Sequence, residues 1–293
     1  LTLHSAPPAG RRTKEEPLYD LPRRGGRPPV NDEWRVEYCD GLCCGVSATY
    51  ELHWALTGNC FDIEAEIVRH VALADKSDEG WVTVLTRTDE IRALADSSVA
   101  QLEHINPLAP VGSRVILPWP RVDCVIDRDG TTSPYANPFV EVTGEALAGR
   151  KKEHCFFTHI RPDDDGWVAA ALQGPKGTGI GVRSKYDKRL PFFSVWFSRT
   201  GKKGVAAIGL EPGPLPLGAA ETDRLEMRAV LEGGEEMTRM TELYFLDTSE
   251  RMTTFLESNG MSAGSLPKQF EKIGTDKKDW PTLCRAAGIN GKR

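Results

Sequence analysis

Three short segments each carry a side chain that can move a proton. They are Leu1-Thr-Leu-His4, Gln101-Leu-Glu-His104-Ile-Asn-Pro107 and Ile208-Gly-Leu-Glu211-Pro-Gly-Pro214. Each sets a His or Glu at the end of a strand-like run, beside Pro-rich loop. Loops carried on rigid sheets are where catalytic groups commonly sit. A carboxylate and two imidazoles can act as base and acids near neutral pH.

Other chemistry-bearing patterns read more simply as structure. The run Gly174-Pro-Lys-Gly-Thr-Gly-Ile-Gly181 lacks the Lys-Ser/Thr pair of a phosphate loop and leads into a strand. A tight turn between two strands is expected there. His154, His159 and Asp163-Asp164-Asp165 match no common ligand spacing. They read as a strand followed by an acidic Asp-Gly turn. His53 and His70 stand without an acid-base partner nearby in sequence. The seven cysteines include no Cys-x-x-Cys pair. They are expected to be thiols in a reducing compartment, with no structural zinc, so a cytoplasmic location is expected.

The elements that position these groups read as β throughout. Trp34–Cys39, Val46–Trp54, Cys60–Val68, Trp81–Thr88 and Arg114–Trp119 are short runs rich in β-branched and aromatic residues. Glu153–His159, Gly166–Leu172, Gly179–Ser184, Phe192–Phe197 and Val205–Glu211 continue the style. Arg224–Leu231 and Thr238–Leu246 read as a closing hairpin around Glu232-Gly-Gly-Glu235. Before residue 248 no run keeps a helical period over three turns. Thr248 or Ser249 then caps a predicted short helix. Residues 5–32 have loop composition, rich in Pro, Gly and Arg. Many short strands at even spacing predict an all-β sandwich or barrel.

Composition narrows the class. Over 293 residues, 27% are charged and 40% apolar, near the globular average. The longest apolar runs, such as Trp167–Leu172, fall far short of a membrane-spanning helix. Residues 1–35 carry seven Lys/Arg and five Asp/Glu, and residues 264–293 seven and three. With a net charge of −5, the stretch between them carries −11. An acidic body argues against a nucleic-acid surface.

The three opening segments, with others between them, resemble a known group. His104-Ile-Asn-Pro-Leu-Ala-Pro-Val-Gly-Ser-Arg-Val-Ile-Leu-Pro118, Phe156-Phe-Thr-His159, Asp165-Gly-Trp-Val-Ala-Ala-Ala-Leu172, Leu190-Pro-Phe-Phe-Ser-Val-Trp196 and Gly209-Leu-Glu-Pro-Gly-Pro214 follow one another in order. Over Trp81 to Leu246 the chain resembles the aldose 1-epimerase (galactose mutarotase) superfamily. Within it, the chain is most similar to the domain of unknown function 4432 branch. The resemblance implies an antiparallel β-supersandwich with a sugar cleft on one concave face. It implies that Glu211 is the general base at the anomeric hydroxyl and His104 the acid at the ring oxygen. His4 would bind and polarise the sugar, and Trp196, Arg183 and Asn106 would line the cleft. No metal and no cofactor are expected, and the partner is a sugar or sugar derivative, not nucleic acid or membrane. The expected organisation is a sandwich over residues 1–247, its first strands lying before Leu1, and an extension over 248–293, partly helical or irregular. The function implied is interconversion of sugar anomers by acid-base ring opening. The alternative is a noncatalytic carbohydrate-binding protein on the same scaffold.

Overall fold

The runs that alternate in sequence are strands in the structure, a computed structural model. It describes residues 2–3, 35–39, 43–56, 59–76, 81–94, 97–99, 101–102, 105, 107–127, 141–148, 153–199, 204–213 and 229–262. In chain order the first strands are β1 (Thr2–Leu3), β2 (Arg35–Cys39), β3 (Cys43–Leu56), β4 (Asn59–Lys76), β5 (Trp81–Ala93), β6 (Ser97–Val99) and β7 (Gln101–Leu102). Next come β8 (Leu108–Pro110), β9 (Arg114–Ile116), β10 (Val122–Asp127), helix α1 (Gly144–Ala148), β11 (Glu153–Ile160) and β12 (Trp167–Gln173). The rest are β13 (Gly179–Lys185), β14 (Phe192–Arg199), β15 (Val205–Pro212), β16 (Ala229–Leu231), β17 (Glu236–Leu246) and helix α2 (Ser249–Ser258).

Two sheets face each other. The larger has the order β2-β3-β4-β5-β17-β13-β12-β9 and the smaller β10-β11-β14-β15-β8. All pairs among the described strands are antiparallel. Phe156, Phe193, Val195, Phe197, Ile208 and Leu210 of the smaller sheet meet Val168, Ala170, Leu172 and Val182 of the larger in one core. Burying each large side chain among them contributes about 1.5–3 kcal/mol. This is the antiparallel β-sandwich that the strand pattern predicts.

The β12 sequence, Trp-Val-Ala-Ala-Ala-Leu, does not alternate because both of its faces are covered. Its inner face joins the inter-sheet core. Its outer face lies under α2, where Ala169 and Ala171 pack with Tyr244, Met252, Phe255 and Leu256. Thr248 caps α2 as expected, its hydroxyl accepting from the Arg251 amide at 3.2 Å. Gly181 lets the helix dock: a Cβ there would stand 2.3 Å from the Phe255 ring. No described helix is long and apolar enough to cross a membrane.

Two turn expectations had different outcomes. The glycine run 174–181 is the β12–β13 turn, with paired strands on either side. The expected closing hairpin of β16 and β17 is corrected. The turn at Glu232–Glu235 forms, with the Glu235 amide bonded to the Glu232 carbonyl at 2.8 Å. However, Ala229–Leu231 of β16 pairs with Ser97–Val99 of β6, while Glu236–Met240 of β17 pairs with β5.

Candidate active site

Glu211 is the penultimate residue of β15. Its neighbour Leu210 points into the inter-sheet core, so strand alternation turns Glu211 to the opposite face of the smaller sheet. Across the ladder, Glu211 pairs with Ser194 of β14, and the two share that face. The Ser194 hydroxyl donates to the Glu211 carboxylate, Oγ to Oε2, at 2.7 Å. Ser194 is 0% exposed and Glu211 6%.

Two residues along the same strands, Trp196 stands opposite Gly209. It lies on the Glu211 face and is half-buried. Gly209 presents no side chain there, which leaves the indole room over the ladder.

The described residues that follow His104 lie along the edge of β15 away from β14. Leu108 pairs with Ala207, and Ile105 forms an isolated bridge with Leu210. Both pairs belong to one antiparallel register. The Leu210 amide donates to the Ile105 carbonyl at 2.9 Å, and the Ile208 amide to the Pro107 carbonyl at 3.1 Å. Ile105 packs against the inter-sheet core, as its partner Leu210 does. On the other side, Thr2 and Leu3 pair with Leu102 and Gln101. Strands β1 and β7 are thus neighbours that run in opposite directions. His4, His104 and Asn106 themselves lie outside the described residues.

Arg183 is not brought together with Glu211. Its neighbour Val182 is in the inter-sheet core, so Arg183 faces outward from the larger sheet. Its guanidinium stacks over Trp167, 4.7 Å from the ring centroid. It also stands 3.6 Å from Glu242 and 3.8 Å from Asp163.

Two features of this face carry no clear mark in the sequence. The first is the Ser194 contact, made by a residue 17 positions from Glu211. The second is His159, whose neighbours in sequence read as the end of a plain strand. Its neighbour Thr158 pairs with core residue Phe193, so His159 falls on the Glu211 side of the smaller sheet. Its Nδ1 is 2.9 Å from the Asp123 carboxylate, which also pairs with Arg161. Its Nε2 is 3.4 Å from the Tyr186 hydroxyl. Burial lowers the pKa of the ring and outweighs the opposing pull of Asp123. The imidazole is therefore held neutral.

Beyond Glu211 the strand ends in a fixed turn. Gly213 has φ +79°, and its amide donates to the Phe192 carbonyl at 2.7 Å. A Cβ at Gly213 would stand 2.4 Å from Nη2 of Arg239. That guanidinium reaches across from β17, donating to the Ser184 hydroxyl and the Lys185 carbonyl, both at 3.1 Å. Among the described residues no group of three or more His, Cys, Asp or Glu is arranged to hold a metal ion.

No protein-family model matches the sequence, and no curated protein matches it. Solved structures do. A protein from Klebsiella pneumoniae, provisionally named aldose 1-epimerase, superposes with a TM-score of 0.51 at 14% identity. The match covers 74% of this chain and 54% of that one, so this chain spans about half the length of its structural neighbour. A galactose 1-epimerase from Lactobacillus acidophilus superposes with a TM-score of 0.43 at 13% identity, over 75% of this chain and 67% of that one. At such identities the likeness is one of fold, and the Klebsiella match is the one that bears on it. With its two facing antiparallel sheets, the chain has the fold of the galactose mutarotase-like β-sandwiches.

Proposed function

We propose that this chain is an aldose 1-epimerase-like isomerase that opens and recloses the ring of a free sugar. Glu211 removes the proton from the anomeric hydroxyl. His104 gives a proton to the ring oxygen as the C1–O5 bond breaks. Rotation about C1–C2 and the reverse proton movements reclose the ring as the other anomer. His4 binds and polarises the sugar, while Trp196 and Asn106 line the cleft. Arg183, on the outer face of the other sheet, has no part in this reading. The kinship to the domain of unknown function 4432 branch rests on the order of the sequence motifs.

The observation that supports the reading best is the single register of Ile105 with Leu210 and Leu108 with Ala207. The reading requires the imidazole of His104, the residue before Ile105 in the chain, to come within reach of the Glu211 carboxylate. The chemistry needs this closeness, because O1 and O5 are bonded to the same carbon. A buried carboxylate and an imidazole converging on one hemiacetal form an acid-base pair that needs no added group.

The test is polarimetry of freshly dissolved α-anomers of several aldoses, with Glu211→Gln as control. The reading expects the wild type to speed mutarotation of at least one sugar. The variant should lose about 100-fold or more. If no aldose responds while sugar binding persists, the chain is a carbohydrate-binding module on this scaffold.

A further inference from the structure

We infer that Ser194 is the positioning residue for the Glu211 carboxylate, an inference that rests on the reading of Glu211 as the base. A glutamate side chain has three torsions, and the last is broad and nearly free. A base must present one oxygen to a defined proton, within hydrogen-bond reach. A buried group that grips the other oxygen therefore sets the orientation. Ser194 meets that requirement. Its Oγ lies 2.7 Å from Oε2, the length of a charge-assisted hydroxyl-to-carboxylate bond.

The grip is rigid because its own support is rigid. Ser194 sits mid-ladder, with Val195 beside it in the inter-sheet core. Its strand β14 is bonded on both sides, to β11 and to β15. The partner is Glu211 itself, directly across the ladder, so the contact depends on register and not on a loop. Just past Glu211, the Gly213 amide bonds the Phe192 carbonyl and prevents the strand end from peeling away.

Ser194→Ala removes the hydroxyl and keeps the small volume. The expected result is a kcat about tenfold lower or more, with KM unchanged, since the base is misdirected and the cleft is intact. Ser194→Thr, which restores a hydroxyl, should recover most of the rate. Ser198→Ala removes a buried hydroxyl from the same face of the same strand and should leave kcat unchanged. A merely structural serine would lower the melting temperature and leave kcat and KM alone. Unchanged kcat in folded Ser194→Ala overturns the inference.

A second arm does not need activity. Crystal structures of the wild type and Ser194→Ala should show the Glu211 carboxylate in one orientation in the first and rotated or split in the second. An unmoved carboxylate overturns the inference. If the wild type accelerates no sugar, the enzyme reading falls, and this structural comparison alone decides what Ser194 does.

Discussion

The amide of Leu210 donates to the carbonyl of Ile105 at 2.9 Å, in the same register that pairs Leu108 with Ala207. This bond ties two segments more than one hundred residues apart in sequence. It does so one residue short of the two side chains proposed to share a proton-transfer task. Leu210 faces the core, so Glu211, which alternates with it, faces the other side. Leu210 is fully buried. Leu210→Ala should cost about 2–5 kcal/mol of stability by urea unfolding. A cost under 1 kcal/mol would mean that this edge is not held by the core.

Gly213 fixes where β15 ends. Its φ of +79° is strained for any side chain, and the space for a Cβ is filled by the Arg239 guanidinium. Gly213→Ala should lower stability by about 1–3 kcal/mol, read as a fall in melting temperature. It should also slow anomer interconversion, because Glu211 lies only two residues away. A variant with wild-type stability would refute this account of the turn.

On the larger sheet, Asp89 is 1% exposed and shared by two cations. Arg69 bonds it with two nitrogens, at 2.6 and 3.1 Å, and Arg87 lies at 3.0 Å. Removing one member of a buried ion pair costs far more than the pair is worth, because the charge left behind is not solvated. Asp89→Ala should therefore destabilise by about 3–5 kcal/mol. Chemical denaturation would measure it, and a loss below 1 kcal/mol would contradict the arrangement.

His159 makes stability depend on pH near neutrality. Burial lowers its pKa from the ordinary 6.5. Below that pH the unfolded chain binds a proton that the folded chain resists, so stability falls as pH drops. Above it, both states are neutral at this group and the term vanishes. Melting temperatures between pH 7.5 and 5.5 should fall more steeply for the wild type than for His159→Gln. Equal slopes would show that the ring is not held neutral. Asp187 acts lower on the scale. Burial pushes its carboxyl up, but the hydrogen bonds and charge of Arg189 outweigh that and hold it below its ordinary 3.8. Its contribution is lost only as pH falls through that lowered value.

Much of the fold was legible because side-chain alternation is a local property. Val205–Glu211 and Phe192–Phe197 read as strands from their own residues, and both are strands. The cap at Thr248 was legible for the same reason. Pairing was less so. Glu232-Gly-Gly-Glu235 signals a turn, but nothing local to β16 names β6, a strand far earlier in the chain, as its partner. Arg183 could be read as part of a strand, but nothing in Gly-Val-Arg-Ser tells which sheet it joins or which face packs inward. Ser194 was invisible as a functional residue. A serine in an apolar strand carries no signal, and only the register reveals the carboxylate across from it.

The central claim is that Glu211 and His104 act on one sugar as a pair. The direct measurement is the rate of α-to-β interconversion for the wild type, Glu211→Gln, His104→Gln and the double variant. Residues that act as a unit are strongly non-additive. Each single variant should lose about 100-fold or more, and the double variant should be little worse than the poorer single. Wild-type rates in Glu211→Gln, or losses that simply multiply, would contradict it.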